Sequence, residues 1–585
     1  MKALLAIYKQ AYQKKYLFYS VLAILFMIAD IIISLLIPYF SKRIIDEALP
    51  TQNLSLVYEV GILVVGIAFA AVLCTVFNNI TSQYISTSLT DDLRRKLFMQ
   101  IQHLSLHQID ELSTGKLMTM VTNDTTQIQH TILLFFRALL RAPITLVGAI
   151  VMAYITNQDL FLVILICVPI LIIGFVYIFK KASPRFKIIQ KRIDDINTQL
   201  SQTVEGAREI KAFVSELEEM NQFQTDNEAY HQATIRANKI IVAVSPMVNM
   251  VSNIGIGVIL YLASWIISKG SNTSMAGSIM TYIAYVQQII MSLMMISNIS
   301  IMISRSMVSA DRIEEVLKLK TESYHPTDIS REIIGDIVFR DVCFSYADQK
   351  DTTMAMTLNH INLHIKAKER VGIIGSTGSG KSTLVQLLPR MYEATSGVIE
   401  IDQIPIASWN RSSLRRQISY VTQEAVIFED SISNNIKQGK QDAGSDEVIR
   451  AAKLAQADEF IQQMKEGYDS MVAQEGMSLS GGQRQRLSIA RALIRNPKIL
   501  ILDDSVSAVD AKTEEALKNA FHEIKDTTII MIAQKVSSIR DMDKIIVLSN
   551  KGTIDGIGTH QELLKNSAVY QEIVFSQTGG NGNEC

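Results

Sequence analysis

Six long apolar stretches fill the first 305 residues and none follows, and this pattern restricts the possible folds more than any other feature. A helix needs about 20 apolar residues to cross a bilayer. The stretches cover residues 16 to 41, 57 to 80, 131 to 155, 159 to 180, 239 to 267 and 275 to 305. Only 19% of the residues are charged, below the roughly 25% of an average globular protein. The sequence therefore predicts a six-helix membrane domain followed by a soluble domain.

The gaps between these stretches alternate in length. Residues 42 to 56, 156 to 158 and 268 to 274 form short gaps, whereas residues 81 to 130 and 181 to 238 form long polar gaps with helical periodicity and little Gly or Pro. Unstructured loops of that length are uncommon in compact domains. We therefore expect the membrane helices to continue beyond the bilayer. An even number of spans also places both long gaps and both chain ends on one side.

The chain changes character after the sixth stretch. Residues 337 to 339 and 342 to 344 are predicted as strands, and the strand and helix patterns that alternate after them are typical of a parallel α/β domain. The predicted domains are a membrane domain at residues 1–310, a linker at 311–334 and an α/β domain at 335–585.

Charge and cysteine content identify no further partner. The net charge is −1, and no basic stripe predicts nucleic-acid binding. The four cysteines lack the short spacings of a disulfide framework or a zinc site. The lysines and apolar residues that alternate before residue 16 predict an amphipathic helix on the inner membrane surface, with a mitochondrial transit peptide as the alternative.

A glycine-rich loop lies between a predicted strand and a predicted helix. The strand covers Val371 to Ile374, and the helix covers Leu384 to Leu388. Glycines let backbone N–H groups approach phosphates closely, a lysine reaches the outer phosphates, and a serine hydroxyl ligates Mg²⁺. This context predicts a P-loop that binds a nucleoside triphosphate. Its residues are Gly375, Ser376, Thr377, Gly378, Ser379, Gly380, Lys381, Ser382 and Thr383.

Two further motifs restrict the class of P-loop ATPase. The apolar run from Ile499 to Leu502 predicts a buried strand that ends at Asp503, whose carboxylate can hold Mg²⁺ through water. A Leu-Ser-Gly-Gly-Gln motif stands between this strand and the P-loop, and we call it the signature. Its residues are Leu479, Ser480, Gly481, Gly482 and Gln483.

With these motifs the chain resembles ABC transporters of the exporter type, in which a transmembrane domain is fused to a nucleotide-binding domain. The resemblance covers essentially the whole chain and implies ATP and Mg²⁺ as ligands, with Ser382, Gln423 and Asp503 at the metal. It also implies that Tyr346 stacks on adenine and that Asp510 lies in a loop that crosses between two such domains. Family members clamp each ATP between one P-loop and the signature of a second nucleotide-binding domain. One copy of each domain therefore implies a dimer of chains.

Two catalytic positions depart from the family pattern. Asp504 stands where the family has a catalytic glutamate, so its carboxylate lies one methylene, about 1.5 Å, further back. A misplacement of about 1 Å can slow a reaction about 100-fold. Gln534 stands where the family has a histidine, and an amide cannot carry the charge of an imidazole. We interpret both as marks of a degenerate ATP site, so the resemblance narrows to heterodimeric bacterial exporters.

The tips of the two long gaps are candidates for contact with a nucleotide-binding domain. Residues 109–116 and 205–213 resemble the segments around the coupling helices of the family. A solvated helical turn would explain their charges equally well.

Ionisable residues inside the apolar stretches are candidates for a cavity. Asp30 lies in the middle of the first stretch, and Arg137 and Arg141 lie toward the inner side of the third. Such groups are costly in lipid and usually face a bundle interior or a water-filled cavity. For Asp30 the alternatives are a cation-binding cavity and a structural pair with another helix, whereas the arginines are interpreted as snorkelling or structural.

The sixth stretch carries the other candidates for a substrate cavity. These are Gln287, Gln288, Met291 and Met295. Methionine suits loose recognition of varied apolar ligands, and glutamine would be unsatisfied in lipid. Packing against lipid is the alternative for each methionine.

The sequence thus predicts a multi-pass half-transporter of a bacterial cell membrane, with its nucleotide-binding domain in the cytoplasm. It is expected to export amphipathic, drug-like compounds as a heterodimer with a second ABC half-transporter. This chain forms the degenerate ATP site and lends its signature to the competent site of the partner, where most ATP hydrolysis is expected. The alternatives are a lipid or peptide exporter or flippase, and a nucleotide-gated, channel-like or regulatory protein.

Overall fold

The computed structural model describes residues 14–268, 276–322, 329–346, 356–473 and 476–578. The amphipathic helix predicted before residue 16 lies almost wholly outside the described residues.

The chain divides into two compact units. The membrane unit contains residues 1–102 and 114–319, and the α/β unit contains residues 103–113 and 320–585. The short segment 103–113 therefore belongs to the α/β unit by its contacts, although in sequence it lies between two membrane helices.

The membrane unit is entirely helical among its described residues. Six of its helical segments are long and apolar enough to cross a membrane, which confirms the predicted number of spans. Its α-helices are Lys14–Arg43, Leu54–Gln102, Thr114–Thr119, Thr125–Leu134, Arg141–Thr156, Gln158–Glu205, Ala207–Phe213, Glu216–Ile241, Val244–Ser268 and Ala276–Lys318. Single π-helical turns occur at Ile44–Ala48, Met120–Asp124 and Phe135–Leu139.

The helices extend well beyond the length that a bilayer requires. Leu54–Gln102 has 49 residues and Gln158–Glu205 has 48, so each is about 70 Å long, against a hydrocarbon core of about 30 Å. The predicted continuation of the membrane helices is therefore confirmed.

The short gap at Asn157 is a helix cap, because its side chain accepts hydrogen bonds from the backbone N–H groups of Asp159 and Leu160 at 2.9 and 3.2 Å.

Buried polar side chains join the membrane helices through backbone carbonyls. Tyr282 and Tyr285 are fully buried, and their phenols donate to the carbonyls of Ala153 at 2.6 Å and Leu35 at 3.0 Å. A polar group in lipid must find its partner within the protein. These contacts tie the sixth apolar helix to the first and the third.

The α/β unit contains two sheets. A four-stranded antiparallel sheet has the order β2-β1-β4-β5, and a six-stranded sheet has the order β10-β9-β3-β8-β7-β6. Strands β9, β3, β8, β7 and β6 are parallel, as predicted for this part of the chain, and β10 is an antiparallel edge. The strands are β1 (Ile337–Phe344), β2 (Leu358–Ile365), β3 (Arg370–Gly375), β4 (Ser396–Ile401), β5 (Ile404–Pro405), β6 (Ile418–Val421), β7 (Ile499–Asp503), β8 (Thr528–Ile532), β9 (Lys544–Leu548) and β10 (Ile554–Gly558).

The two strands predicted at residues 337–344 are one strand. Its register shifts between Phe339 and Val342, and Asp341 has a φ of 52° there. An extra residue with a left-handed backbone is typical of a β-bulge, which accounts for the break in the apolar pattern.

Helices connect the strands of the α/β unit, and one of them begins at the signature. They are Leu106–Leu112, Lys381–Gln386, Arg411–Gln417, Ile432–Lys437, Ser445–Leu454, Asp458–Gln462, Gly481–Leu493, Ala511–Glu523, Val536–Ile539, His560–Asn566 and Ala568–Thr578. All five residues of β7 are buried, because helices and strands cover both faces of a parallel sheet. Asp503, the last residue of the otherwise apolar strand β7, and Asp504, which follows it, therefore lie at the carboxyl edge of the sheet.

Candidate functional site

The P-loop follows β3 and wraps around the amine of its own lysine. Gly378 and Gly380 have φ values of 82° and 88°, a conformation that glycine adopts without strain. The Nζ atom of Lys381 donates to the carbonyls of Gly375 at 2.9 Å and Ser376 at 2.7 Å. Burial lowers the pKa of Lys381, and the carboxylates of the strand end oppose this shift. The structure thus places a cation inside a glycine-rich turn, where phosphate oxygens can bind.

Two of the three side chains predicted at the metal, those of Ser382 and Asp503, meet between the P-loop and β7, whereas Gln423 lies beside Asp504. Ser382 donates from Oγ to Oδ1 of Asp503 at 2.9 Å, and Asp503 is 4% exposed. Hydroxyl and carboxylate oxygens are ligands that suit Mg²⁺. These two residues fit the ion that the resemblance implies.

A tyrosine that the sequence analysis did not single out completes this corner. The phenol of Tyr420 donates to Oδ2 of Asp503 at 2.7 Å, and burial raises the pKa of the phenol. Tyr420 lies on β6, beside β7. The signal in the sequence that could have indicated Tyr420 is its position three residues before Gln423. Nothing local in the sequence shows which carboxylate its hydroxyl reaches.

The carboxylate of Asp504 is engaged by two glutamines. Nε2 of Gln534 donates to Oδ2 of Asp504 at 2.7 Å, and Nε2 of Gln423 lies 3.5 Å from the same oxygen. Asp504 is 6% exposed and has a φ of 45°. Burial raises the pKa of Asp504, the hydrogen bond from Gln534 opposes the rise, and the charge of Asp503 adds to it. The structure therefore brings the three predicted catalytic positions into one cluster.

Tyr346 is placed against the helix of the P-loop. Its phenol lies 2.9 Å from Oγ1 of Thr383, and its ring meets the rings of Phe344 and Tyr392 edge to face, at 4.8 and 5.2 Å between centroids. The side chain is 43% exposed, so part of its surface remains open for stacking. Burial raises the pKa of the phenol, which the hydrogen bond with Thr383 opposes.

The signature forms the start of a helix. Ser480 caps Gly481–Leu493 in a capping box with Gln483, whose backbone N–H donates to the serine Oγ at 3.3 Å. Leu479 is buried below this turn. A side chain at Gly482 would have its Cβ only 3.0 Å from the carbonyl oxygen of Ala508, so glycine permits the close approach of the loop at 507–510.

That loop is held on both sides. The backbone N–H of Ala508 donates to Oε1 of Gln485 in the signature helix at 3.2 Å. Asp510 caps Ala511–Glu523 by accepting from the backbone N–H of Thr513 at 3.0 Å. Hydrogen bonds from Thr513 lower the pKa of Asp510, so its charge is available at the start of this helix.

The segment 103–113 packs on the region that follows the P-loop helix. Ser105 caps helix Leu106–Leu112, and Asp110 accepts a hydrogen bond from the phenol of Tyr392 at 2.5 Å. A cavity of about 260 Å³ lies beside this contact, lined by both Tyr346 and Tyr392. The first predicted coupling segment is therefore in contact with the aromatic cluster of the nucleotide site.

An ion-pair cluster holds the chain that follows the last membrane helix. Glu322 accepts from the guanidinium of Arg415 at 2.8 and 2.9 Å and pairs with Arg411 at 2.9 Å. Its backbone N–H donates to the carbonyl of His103 at 2.9 Å. Burial alone would raise the pKa of Glu322, but the hydrogen bonds and charges of the two arginines lower it.

The second predicted coupling segment forms the short helix Ala207–Phe213 in the membrane unit. Phe213 and Val214 are 79% and 80% exposed within this chain. The role of this segment in coupling stays a prediction.

Asp30 is paired inside the membrane unit. Its Oδ2 lies 2.8 Å from the guanidinium of Arg141, and its Oδ1 accepts from the hydroxyl of Thr75 at 2.8 Å. The aspartate is 3% exposed; these contacts are those of the structural pair, and its part in a substrate cavity stays a prediction. Arg137 also has a structural contact, because it donates to the carbonyl of Asn79 at 2.9 Å.

The other cavity candidates lie along one side of helix Ala276–Lys318. Gln287, Met291 and Met295 are spaced four residues apart and so share a face, and Met291 is 69% exposed. Gln288 is half-buried, and its Oε1 has no hydrogen-bond partner among the described residues. Their role in a substrate cavity stays a prediction.

Known families match most of the chain. Residues 20–293 match the ABC transporter transmembrane region, and residues 358–507 match the ABC transporter family. The chain is 35% identical to the uncharacterized ABC transporter ATP-binding protein YfiB of Bacillus subtilis (strain 168), over 98% of this chain and 99% of its relative. It is 31% identical to the ATP-dependent lipid A-core flippase of Syntrophus aciditrophicus (strain SB), over 92% of this chain and 88% of the flippase.

A solved structure shows the same fold across the whole chain. It is that of a bacterial Atm1-family ABC exporter with ATP bound, and it matches with a TM-score of 0.79 and 25% identity, over 97% of this chain and 99% of the other. These likenesses agree with the six apolar helices and the P-loop described above. The chain therefore belongs to the ABC transporter family and is a multi-pass membrane exporter whose ATPase unit lies in the cytoplasm.

Proposed function

We propose that this chain is one half of a heterodimeric exporter in which its own P-loop site holds ATP and hydrolyses it slowly. The observation that carries the proposal is the hydrogen bonding of Asp504. Gln534 and Gln423 both direct their amide groups toward the same carboxylate oxygen, at 2.7 and 3.5 Å. A general base needs a free oxygen within about 3 Å of its water. Here Gln534 donates to one of the two carboxylate oxygens of Asp504, and the side chain, one methylene shorter than glutamate, holds the carboxylate further back.

The residues that bind phosphate support ATP binding at the same site. Lys381 offers its ammonium group inside the P-loop, and the oxygens of Ser382 and Asp503 lie 2.9 Å apart. We propose that these two oxygens hold Mg²⁺, which when bound neutralises charge on the β- and γ-phosphates. We thereby assign ATP binding to Lys381, Ser382 and Asp503, and the slow ATP hydrolysis to Asp504 and Gln534.

The signature supports a role in a second site. Ser480 caps a helix of 13 residues, and the N–H groups at the start of such a helix attract phosphate. Because the family clamps ATP between two chains, we propose that this turn completes the P-loop site of a partner that carries the glutamate and histidine missing here.

The ATPase rate of the chain alone tests the first part of the proposal. We expect the purified full chain to bind ATP but turn it over slowly, and the double variant Asp504→Glu, Gln534→His to hydrolyse ATP about 100-fold faster, because a shift of about 1 Å is restored. Fast, substrate-stimulated hydrolysis by the unaltered chain alone would contradict the heterodimer.

The complex with a competent half-transporter tests the second part. We expect Ser480→Arg in this chain to reduce ATPase activity of the complex far more than Asp504→Asn, because only the first change enters the partner's site. Equal losses would show that both sites contribute alike.

For the exported compound we propose an amphipathic molecule taken from the bilayer. The exposed Met291 on the face with Gln287 supports apolar recognition with a few hydrogen bonds. A lipid is the second candidate, because relatives at 31% identity are named lipid A-core flippases. Proteoliposomes that hold the complex and either a fluorescent phospholipid or a cationic dye distinguish the two: the transported compound moves only with ATP and raises the ATPase rate.

A further inference from the structure

One glutamine side chain brackets the segment that carries Gln534. Nε2 of Gln577 donates to the backbone carbonyl of Gln534 at 2.7 Å, and Oε1 of Gln577 accepts from the backbone N–H of Val536 at 2.9 Å. Gln577 lies on helix Ala568–Thr578. Its amide thus supplies both a donor and an acceptor to a three-residue segment far from it in sequence.

The bracketed segment has no regular structure of its own. Strand β8 ends at Ile532, and the next helix begins at Val536. The cap residue of that helix, Lys535, makes no side-chain hydrogen bond to the first turn. The first N–H groups of a helix lack partners within it, so Gln577 acts as the missing cap from another helix.

The helix that presents Gln577 is anchored by its apolar side. Tyr570 is fully buried and Val574 is 7% exposed, and both belong to the same core cluster as Val536 and Ile539. The side chain of Gln577 itself is exposed. The helix therefore stays in place when this amide is changed, and the amide can be tested apart from the fold.

We propose that Gln577 is a positioning residue of the ATP site. By fixing the backbone on both sides of Lys535, it holds the amide of Gln534 against Asp504 and, when ATP is bound, at the γ-phosphate. This inference rests on the proposed function, because ATP must bind at the P-loop of this chain for Gln534 to meet a γ-phosphate. It makes helix Ala568–Thr578 a part of the nucleotide site through the segment 534–536.

The discrimination between ATP and ADP measures this role. We compare the dissociation constants of Mg²⁺·ATP and Mg²⁺·ADP on the full chain in detergent micelles, for the unaltered protein and for Gln577→Ala. Two hydrogen bonds of ordinary strength correspond to about a tenfold change in affinity. We expect the affinity for ATP to fall about tenfold and that for ADP to stay the same, since ADP has no γ-phosphate.

The matched control is a glutamine on the same helix. Gln571 donates from Nε2 to the carbonyl of Leu564 at 2.7 Å, away from the segment 534–536. We expect Gln571→Ala to change neither affinity. Gln577→Glu keeps the acceptor for Val536 but sets a carboxylate oxygen, which cannot donate, against the carbonyl of Gln534, so we expect a loss of ATP affinity at least as large as that of Gln577→Ala.

A fourth variant, Gln534→Ala, separates failure of this inference from failure of the proposed function. If Gln534→Ala leaves the preference for ATP over ADP intact, then Gln534 does not act at the γ-phosphate and this inference falls, whereas the proposed function falls instead if the unaltered chain does not bind ATP. If Gln534→Ala reduces that preference and Gln577→Ala does not, only the role of Gln577 is overturned. An equal loss of ATP and ADP affinity in Gln577→Ala would also overturn it, because that result indicates a general disturbance of the fold.

Discussion

The phenol of Tyr392 donates a hydrogen bond of 2.5 Å to the carboxylate of Asp110, and the ring of Tyr392 meets that of Tyr346 edge to face. Asp110 lies on a helix that the sequence places between two membrane spans. We therefore expect nucleotide stacking on Tyr346 to be sensed at Asp110 through one aromatic ring and one hydrogen bond.

Tyr392→Phe tests this connection. We expect the ratio of substrate-stimulated to basal ATPase activity to fall several-fold, because the hydrogen bond is lost while the aromatic contact remains. Tyr468→Phe is the control, since Tyr468 donates to Asp458 at 2.6 Å elsewhere in the α/β unit. Both variants lose a hydrogen bond to a charged group, worth about 1.5–3 kcal/mol. An equal change of the ratio in both would refute a special role for Tyr392.

Tyr420→Phe is expected to weaken Mg²⁺ binding. The phenol orients Asp503 through the hydrogen bond at 2.7 Å, and loss of such an outer partner costs about 10–100-fold in metal affinity. A titration of nucleotide binding with Mg²⁺ measures the shift, and binding of ATP in the presence of a chelator provides the reference. An unchanged Mg²⁺ requirement would show that Ser382 alone orients the carboxylate.

The pH dependence of stability is expected to report Asp504. Its pKa is raised in the folded chain, so between the unfolded and folded pKa values the folded state binds a proton that the unfolded state lacks. The free energy of unfolding contributed by Asp504 therefore falls as pH rises through this window and is constant above it. We expect Asp504→Asn to gain stability relative to the unaltered chain above the window, with the difference vanishing toward acid pH. Thermal unfolding of both chains without nucleotide, from about pH 4 to pH 8, measures this difference, and a parallel pH profile would contradict it.

Asp30→Asn is expected to destabilise the membrane unit. Removing one partner of a fully buried ion pair costs about 3–5 kcal/mol; the loss here is expected to be smaller, because the side chain of Arg141, which would be left without its carboxylate, is 36% exposed. The double variant Asp30→Asn, Arg141→Gln is expected to recover part of the loss, because no charge remains unpaired. Thermal unfolding in micelles measures both, and unchanged stability combined with lost binding of a cationic dye would favour the cavity alternative instead.

Glu322→Gln is expected to lower the free energy of unfolding more than the same substitution at an exposed glutamate. Glu322 is 17% exposed and engages Arg415 with both oxygens, so we expect a loss of about 1.5–3 kcal/mol. Glu332 pairs with Lys498 at 2.8 Å but is 77% exposed, and Glu332→Gln should change the unfolding temperature little, because solvent screens an exposed ion pair. Unfolding temperatures of the two variants provide the comparison, and equal losses would indicate that the Glu322 cluster is solvated.

The parts that sequence predicts best have local signals. The six spans follow from apolar length alone, and the P-loop follows from a glycine pattern between a strand and a helix. Asp503 and Asp504 are predictable as the end of a buried strand, because strand direction in a parallel sheet decides which end carries the site. These predictions need only the residues next to each other in the chain.

The remaining contacts are between residues that are distant in sequence. Asp30 is recognisable as costly in a membrane, but composition does not say that Arg141 on another helix neutralises it. Tyr420 and Gln577 are ordinary polar residues until the fold brings one to Asp503 and the other to Gln534. Only packing determines such pairs.

The assignment of residues 103–113 to the α/β unit means that the polypeptide passes between the two units three times, after Gln102, after Ser113 and after Leu319. A protein fragment that begins at Gly335 would therefore lack residues 103–113 and 320–334 of the α/β unit. Without them, Tyr392, Arg411 and Arg415 would each lose a carboxylate partner. A soluble ATPase fragment that starts at the predicted domain boundary is thus an incomplete unit. Its ATPase rate and its stability would be those of a unit that exposes the surface covered by segment 103–113 in the full chain.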